Sequence, residues 1–510
     1  MKKRTAIVIG AGIGGIATAA RLAKNGYDVT VLEKEATPGG RANQIVRDGH
    51  RFDIGPTLFL MPEIWEETFA SLGEKMNDHL DLRRIDPTYK VHFIDGLKLE
   101  LTSDIGKMQE QLEKVEKTAF TGFLNYIAEG GKHYKVSVEK FVGRNFYNIF
   151  EYLSLRNLPL IFNLKALQKH FANVGKYFKD ERLKAAFTFQ NMYLGLSPYD
   201  APATYSLLQY TELAEGVWYP MGGMYAGIQA LVKVAEKLGV KFIYNSPVKR
   251  MKVAGSRVEG VQLNDGRELT ADIFIGNADL PYIYKELLPD VNESKKLENK
   301  LYTCSTIMFY WGVDKEYEQI AHHNVFLGGD YKASFDRIFE DHTLPDVPSF
   351  YVHAPTRTDK AAAPKGQDTL YVLMPVGHLD ARSEQDWDAL VKRAREIVFK
   401  RLATELGVDD LREHIKFEIV YQPKVWKERF NLEKGSAFGL SHNFLQVGYL
   451  RPQNRHKKYK NLYFAGASTH PGTGLPIVLL SARLTTERIL KEKDTISVQN
   501  MANAVAAARV

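Results

Sequence analysis

Thr5-Ala6-Ile7-Val8-Ile9-Gly10-Ala11-Gly12-Ile13-Gly14-Gly15 is an apolar, largely β-branched run that ends in a glycine cluster. It reads as a strand over residues 5–10 and a turn over 12–15, and the Ala, Leu and Arg content of residues 16–25 predicts a helix. Asp28-Val29-Thr30-Val31-Leu32-Glu33 then reads as a second strand. Strand, helix and strand within about thirty residues make the parallel crossover unit of a Rossmann-type sheet.

In that setting the glycines have separate tasks. Gly10 permits the tight turn, Gly12 lets backbone N–H groups approach a pyrophosphate, Gly14 lies in the same turn, and Gly15 lets the helix pack closely on the sheet. The positive end of the helix favours the phosphate charge. Glu33 ends the second strand, where it accepts hydrogen bonds from ribose hydroxyls and repels a 2′-phosphate, which argues against NADP. Pro38-Gly39-Gly40-Arg41 follows, with two glycines that admit a cofactor close to the backbone and a fixed positive charge for its pyrophosphate. This second element points to FAD rather than NAD.

Beyond these motifs, composition bounds the chain. Its 510 residues allow two or three domains or one composite, and 45% hydrophobic with 25% charged residues is an ordinary globular balance. Cys304 is the only cysteine, which excludes an intramolecular disulfide and a cysteine-based metal cluster and suits a reducing, cytoplasmic compartment. The basic start Met1-Lys2-Lys3-Arg4 is followed by an apolar stretch broken at once by glycines, so export is not expected. No apolar run approaches the roughly 18 residues of a spanning helix. A formal charge of +7 without a recognised nucleic-acid module argues against nucleic-acid binding.

Strand signals return at residues 240–244, 248–253, 258–263 and 273–276, with Asn264-Asp265-Gly266 as a hairpin turn, and again at 305–312 and 369–375. Residues 386–406 predict a helix and 361–366 an exposed loop. The expected fold class is α/β. Segments 1–65, 225–290 and 425–490 form a Rossmann-type FAD-binding domain, 66–224 a helical lobe, 291–424 a mixed α/β substrate domain, and 491–510 a tail.

The Gly-Gly-Arg element resembles the second signature of flavoproteins that include amine oxidases, protoporphyrinogen oxidases and carotenoid desaturases. Phe52-Asp53-Ile54-Gly55-Pro56-Thr57, Gly216-Val217-Trp218-Tyr219-Pro220-Met221-Gly222-Gly223, and Ala354-Pro355 with Pro375-Val376-Gly377-His378-Leu379 resemble phytoene desaturases of the bacterial and fungal type. So does Asn461-Leu462-Tyr463-Phe464-Ala465-Gly466-Ala467-Ser468-Thr469-His470-Pro471-Gly472-Thr473-Gly474-Leu475-Pro476, the most specific of these stretches, which amine oxidases lack. The resemblance implies noncovalent FAD, with Gly55, Pro56 and Thr57 at the cofactor and the backbone of Val248 on the adenine. It also implies that Gly466 and Gly474-Leu475-Pro476-Ile477 begin a helix aimed at the flavin's pyrimidine edge. The implied substrate is a phytoene-like polyene, and the implied electron acceptor a membrane quinone or dioxygen.

Relatives of this architecture also desaturate C30 polyenes, oxygenate or isomerise carotenoids, or saturate retinol. A flavin amine or protoporphyrinogen oxidase and a non-catalytic carotenoid carrier are the competing readings. Hydride acceptance falls to the flavin, so the protein needs only a group for the proton; Glu212 and His470 are the candidates.

Residues 132–184 hold eleven basic and four acidic residues, an excess equal to the whole chain's charge. The aromatic and aliphatic stretch 146–171 lies within them, with the composition of an interfacial insertion. A membrane docking surface is therefore expected, with Arg156, Lys165 and Lys169 at headgroups and Phe150, Leu160, Ile161 and Phe162 in the acyl boundary.

Overall fold

The computed structural model describes residues 3–288, 291–380 and 385–507, the side chains of 291 and 493–507 excepted. Met1 and Lys2 of the basic start, and residues 508–510 of the tail, lie outside the described residues.

The opening stretch forms β1 (Thr5–Ile9), α1 (Ile13–Lys24) and β2 (Asp28–Leu32). These join β3 (Lys241–Ile243), β4 (Ile273–Gly276) and β5 (Leu462–Phe464) in a parallel sheet of order β5-β4-β1-β2-β3. Both faces are covered, so the strands are apolar on both sides, as parallel sheets require. Ala6 and Val8 face a core built from α1, the helix Tyr225–Lys237 and the helix α2 (Leu475–Ala507). Ile7 and Ile9 face the small antiparallel sheet Val248–Ala254, Arg257–Leu263 and Glu268–Leu269. The Asn264-Asp265-Gly266 turn joins Arg257–Leu263 to the two-residue strand Glu268–Leu269.

A second, seven-stranded sheet runs in the order Ile415–Tyr421, Ser305–Val313, Asp368–Val376, Phe350–His353, His323–Phe326, Tyr89–His92, Lys98–Leu101. All its pairings are antiparallel except Tyr89–His92 with His323–Phe326. Along Ser305–Val313 the period of two splits the side chains: Ile307, Phe309 and Trp311 meet the helix Trp387–Leu406, and Met308 and Tyr310 meet Phe52 and Tyr371.

Two expectations are corrected. Residues 66–224 are not helical throughout, because Leu82–Ile85, Tyr89–His92, Lys98–Leu101 and Val217–Pro220 are strands. Tyr89, Val91, Leu99 and Leu101 are buried on one face of a short edge hairpin, a period-two pattern too brief to stand out among charged neighbours. The segment 361–366 is not a free loop: Ala362 and Ala363 are buried, and the Ala362 carbonyl accepts a hydrogen bond from Thr369 Oγ1 at 2.8 Å.

Among the described residues no helix is long and apolar enough to cross a membrane. Large apolar side chains instead stand out from the surface at Phe150, Leu155, Phe162 and Leu167, with Phe150 83% and Leu155 89% exposed. Leu445 and Leu450 add to this face from a distant part of the chain, where Phe444 and Tyr449 pack on the cluster of Phe141, Phe146, Tyr152 and Ile161.

Candidate active site

The chain turns at the ends of β1, β2 and β4 open into one cavity of about 650 Å³. Gly10, Gly12, Gly14, Glu33, Gly39, Gly40 and Arg41 line it at one end, with Val248 beside them. Gly55, Pro56, Thr57, Gly466, Gly474, Leu475, Pro476 and Ile477 line its middle, and the wall continues past Phe141, Ile161, Leu164 and Phe335. Gly15 sits beneath the loop, where a Cβ would fall 2.1 Å from the Gly10 carbonyl oxygen, so only glycine fits.

The two glycine elements are held together by backbone: Gly39 N–H donates to the Ala11 carbonyl at 2.8 Å, and Gly12 and Gly39 form a parallel bridge. Glu33 accepts from Ala11 N–H at 2.6 Å and Glu35 N–H at 3.0 Å, and burial raises its carboxyl above the usual range. The start of α1 has no side-chain cap, which leaves backbone donors of its first turn for an anion. Asn277, just after β4, donates from Nδ2 to the Ala465 carbonyl at 2.7 Å, while its Oδ1 is buried without a protein partner. A Cβ on Gly14 would lie 2.7 Å from the Asn277 amide. An uncapped helix start and a cradle only glycine can line fit a dinucleotide pyrophosphate, and the Asn277 Oδ1 beside them is free to accept from a cofactor hydroxyl or N–H group. With Gly39, Gly40 and Arg41 on the same cavity, the residues present fit FAD.

Arg41 is half-buried and donates from Nη1 to the Ala437 carbonyl at 2.9 Å; desolvation lowers its pKa and nearby Asp279 works against that. Asp279 hydrogen-bonds Ser468, and burial raises its carboxyl. Asp53 accepts from Met224 N–H at 2.8 Å and Tyr225 N–H at 3.1 Å, which caps the helix Tyr225–Lys237, and burial pushes it up to about 6. On the far side Tyr310 donates to the Ile54 carbonyl at 2.6 Å and Tyr371 to the Gly55 carbonyl at 2.8 Å, which fixes the segment leading to Pro56 and Thr57.

The two proton candidates are placed differently. Glu212 does not touch the cavity directly but reaches it through hydroxyls: Tyr193, on the wall, donates to Tyr89 at 2.7 Å, and Tyr89 donates to Glu212 Oε1 at 2.9 Å. Burial pushes Glu212 up to about 8 and both tyrosines well above their ordinary value. His470 lies behind the wall, where Nε2–H donates to the Arg144 carbonyl at 2.9 Å and burial lowers it to about 4. It ties residue 144 to the turn that carries Gly472 and Gly474 and has no path to the cavity of the kind Glu212 has.

Arg451 is fully buried and was not singled out by sequence. Its guanidinium donates to five carbonyls, those of Leu440, Ser441, Gln446, Ala467 and Thr469, and so pins the turn from both sides. Burial lowers it only to about 10, so it remains charged. Partners that are all main-chain leave no local signature. Asn277 was more accessible, since it directly follows a predicted strand of the parallel sheet, where ligands bind. Cys304 is buried away from the cavity lining, and burial raises its thiol to about 12.

In the segment 146–171 the side chains of Phe150 and Phe162 are exposed. Ile161 is not: it is buried and lines the cavity. Lys165 is drawn into an ion pair with Glu129, and Lys169 lies 3.1 Å from Asp200.

The flavin-containing amine oxidoreductase family model matches residues 13–490. A ζ-carotene-forming phytoene desaturase of Myxococcus xanthus is 48% identical over 96% of this chain and 94% of its own length. A 4,4′-diapophytoene desaturase of Staphylococcus aureus is 34% identical over 95% and 98%. Among solved structures, an oxidoreductase from Methanosarcina mazei superimposes with a TM-score of 0.61 at 17% identity, over 95% of this chain and 100% of that one, which establishes a shared fold. The chain belongs to the flavin-containing amine oxidoreductase family and, within it, to the carotenoid desaturases typified by phytoene desaturase.

Proposed function

We propose that this chain desaturates a phytoene-like polyene drawn from a membrane, in carotenoid biosynthesis, with FAD seated on the glycine cradle. The observation that carries this reading is the distribution of charge in the cavity. Its charged lining residues, Glu33, Lys34, Glu35, Arg41, Asp279 and Arg429, belong to the nucleotide end and its surroundings, and the rest of the wall is mainly aliphatic and aromatic with a few hydroxyls such as Ser137 and Ser334. An amine would find no carboxylate partner there, whereas each CH₂ of a polyene gains about 0.8 kcal/mol on leaving water.

Gly10, Gly12, Gly14 and Gly15 seat the pyrophosphate at α1, Glu33 takes the ribose hydroxyls, Arg41 offsets phosphate charge, and the Val248 backbone meets the adenine. The start of α2 at Gly474-Leu475-Pro476-Ile477 presents its positive end to the flavin. Bound FAD supplies the hydride acceptor. The proton leaves through Tyr193 and Tyr89 to Glu212, whose hydroxyl donors already point along that path. His470 positions the turn and does not take part in proton transfer. The electrons pass on to a membrane quinone or dioxygen.

The exposed face of Phe150, Leu155, Phe162, Leu167 and Leu445 docks on the bilayer, and Ile161 and Leu164, on the inner side of the same segment, receive the substrate. The test is the purified flavoprotein with phytoene in liposomes. Bleaching of flavin absorbance together with growth of conjugated-polyene bands is the expected result. Phytoene binding without either change would make the protein a carrier, and oxidation of amines in its place would return the amine oxidase reading.

A further inference from the structure

Three histidines meet outside the cavity: His322, His323 and His353 are all buried, and one ring nitrogen of each lies within 4.8 Å of the others. None belongs to a motif with an assigned role in FAD or substrate binding. His323 begins one strand and His353 ends its antiparallel neighbour, and the two are directly opposed in register, so the sheet itself sets their spacing.

The hydrogen bonding divides the rings of His322 and His323 into an outer and an inner nitrogen. His322 Nδ1 is bonded to Thr358 Oγ1 at 2.7 Å, and His323 Nδ1 to the Tyr351 hydroxyl at 2.6 Å. Of the inner atoms, His322 Nε2 and His353 Nε2 face each other at 3.1 Å, and His323 Nε2 is buried with no partner. Left to themselves these atoms are poorly satisfied. One of the facing pair must carry a proton and the other a lone pair, and the third has nothing to bond. If both outer Nδ1–H groups donate to their hydroxyls, the inner Nε2 lone pairs of His322 and His323 converge with that of His353, an arrangement in which the hydroxyl oxygens behind the rings fix tautomer and ring orientation for a metal.

We propose that His322, His323 and His353 form a binding site for one divalent cation of the zinc class. Three imidazoles with neither carboxylate nor thiolate suit zinc and its first-row neighbours, and exclude calcium and magnesium, which require oxygen donors. Neutral donors leave the full charge of the ion in place, so the fourth position takes water, hydroxide or a small anion. Tyr351 connects this site to the cavity: its hydroxyl also bonds Thr57 Oγ1 at 2.9 Å, and both residues line the wall. The ion therefore holds Tyr351, and through it the segment from Gly55 to Thr57, in a fixed orientation.

The test uses the flavin-loaded enzyme purified without a metal-affinity tag or chelator. Elemental analysis should find about one zinc-class ion per chain, and His353→Ala and His323→Gln should each lose it while retaining FAD absorbance. Should a variant fail to fold, the parent protein still decides the matter. After dialysis against a chelator it should take up one Co²⁺ with the ligand-field absorption of nitrogen coordination, and Zn²⁺ should compete for the site and raise its melting temperature. A parent enzyme without bound metal that takes up no Co²⁺, or metal retained in full by folded variants, would overturn the proposal.

Discussion

The loop at residues 10–15 and the segment at residues 150–167 serve the same cavity but constrain the sequence in opposite ways. In the loop the useful groups are backbone N–H donors, and side chains matter by being absent: a Cβ at Gly15 has no room against the Gly10 carbonyl. In the segment side chains are everything. Phe150, Leu155, Phe162 and Leu167 face out while Ile161, between them in sequence, faces the cavity. A loop built from backbone tolerates almost no substitution and is readable as a motif. A surface built from apolar side chains tolerates exchange among them and is readable only as a composition.

Substitutions can break this contrast. Gly15→Ala has the largest expected effect, because the obstruction is backbone and cannot turn aside; overpacking costs about 1–3 kcal/mol where neighbours can move and more where they cannot. The purified variant should carry no FAD and unfold at a lower denaturant midpoint. Normal flavin content would show that the loop is less constrained than its geometry implies.

On the other side of the comparison, Phe150, Leu155, Phe162 and Leu167 replaced together by Ser should abolish liposome flotation and turnover of liposomal phytoene while leaving FAD content intact. Full burial of such a side chain is worth about 1.5–3 kcal/mol, and partial insertion of four is a correspondingly reduced sum. Replacing the inward Ile161 should instead lower turnover without loss of flotation, which sharpens the distinction between the two sides of one segment. Moderate salt should weaken flotation only in part, since charge is screened and apolar insertion is not.

Glu212→Gln should lower turnover about 10²-fold, within the usual range for a lost acid–base group, and should change its pH profile. Glu212 must be ionised to receive the proton, so parent turnover rises as pH approaches about 8 and levels off above it. The variant should lose that limb. Its stability should change as well: with the folded-state value raised to about 8, the folded chain holds a proton that the unfolded chain releases in the ordinary carboxylate range. Stability contributed by that proton is present at low pH and falls as pH rises toward 8, a slope the variant should lack. An unchanged turnover profile would remove Glu212 from the proton path.

The smallest effect is expected at Arg41. Arg41→Ala removes charge-assisted hydrogen bonding worth about 1.5–3 kcal/mol and should weaken FAD retention by about one to two orders of magnitude, as measured by flavin fluorescence on dilution. Unchanged affinity would place the Arg41 guanidinium on Ala437 and Asp279 alone.

The FAD-binding half was legible because its constraints are local. Gly10, Gly12 and Gly15 recur at fixed spacing between a strand and a helix, and Glu33 and Arg41 follow within a single crossover. Less of the substrate half could be read. Glu212 carried no hint that Tyr89 and Tyr193 would link it to the cavity, since the three are brought together by a sheet strand, a short 3-10 turn and a π-helical turn far apart in the chain. His470 sat in the most specific motif and is nonetheless turned toward the Arg144 carbonyl.

The amino-acid order alone therefore determined the Rossmann crossover, the dinucleotide cradle, the preference for FAD and the resemblance to carotenoid desaturases, because each rests on neighbours in sequence and on backbone conformations that few residues allow. Only the tertiary structure decided which apolar residues of 150–167 stand out from the surface and which line the cavity. It also decided that Leu445 joins them, that Arg451 holds the turn after β5, and that His322, His323 and His353 converge. These depend on side-chain direction and on contacts between distant segments, and a burial pattern becomes visible only once packing has chosen the inside.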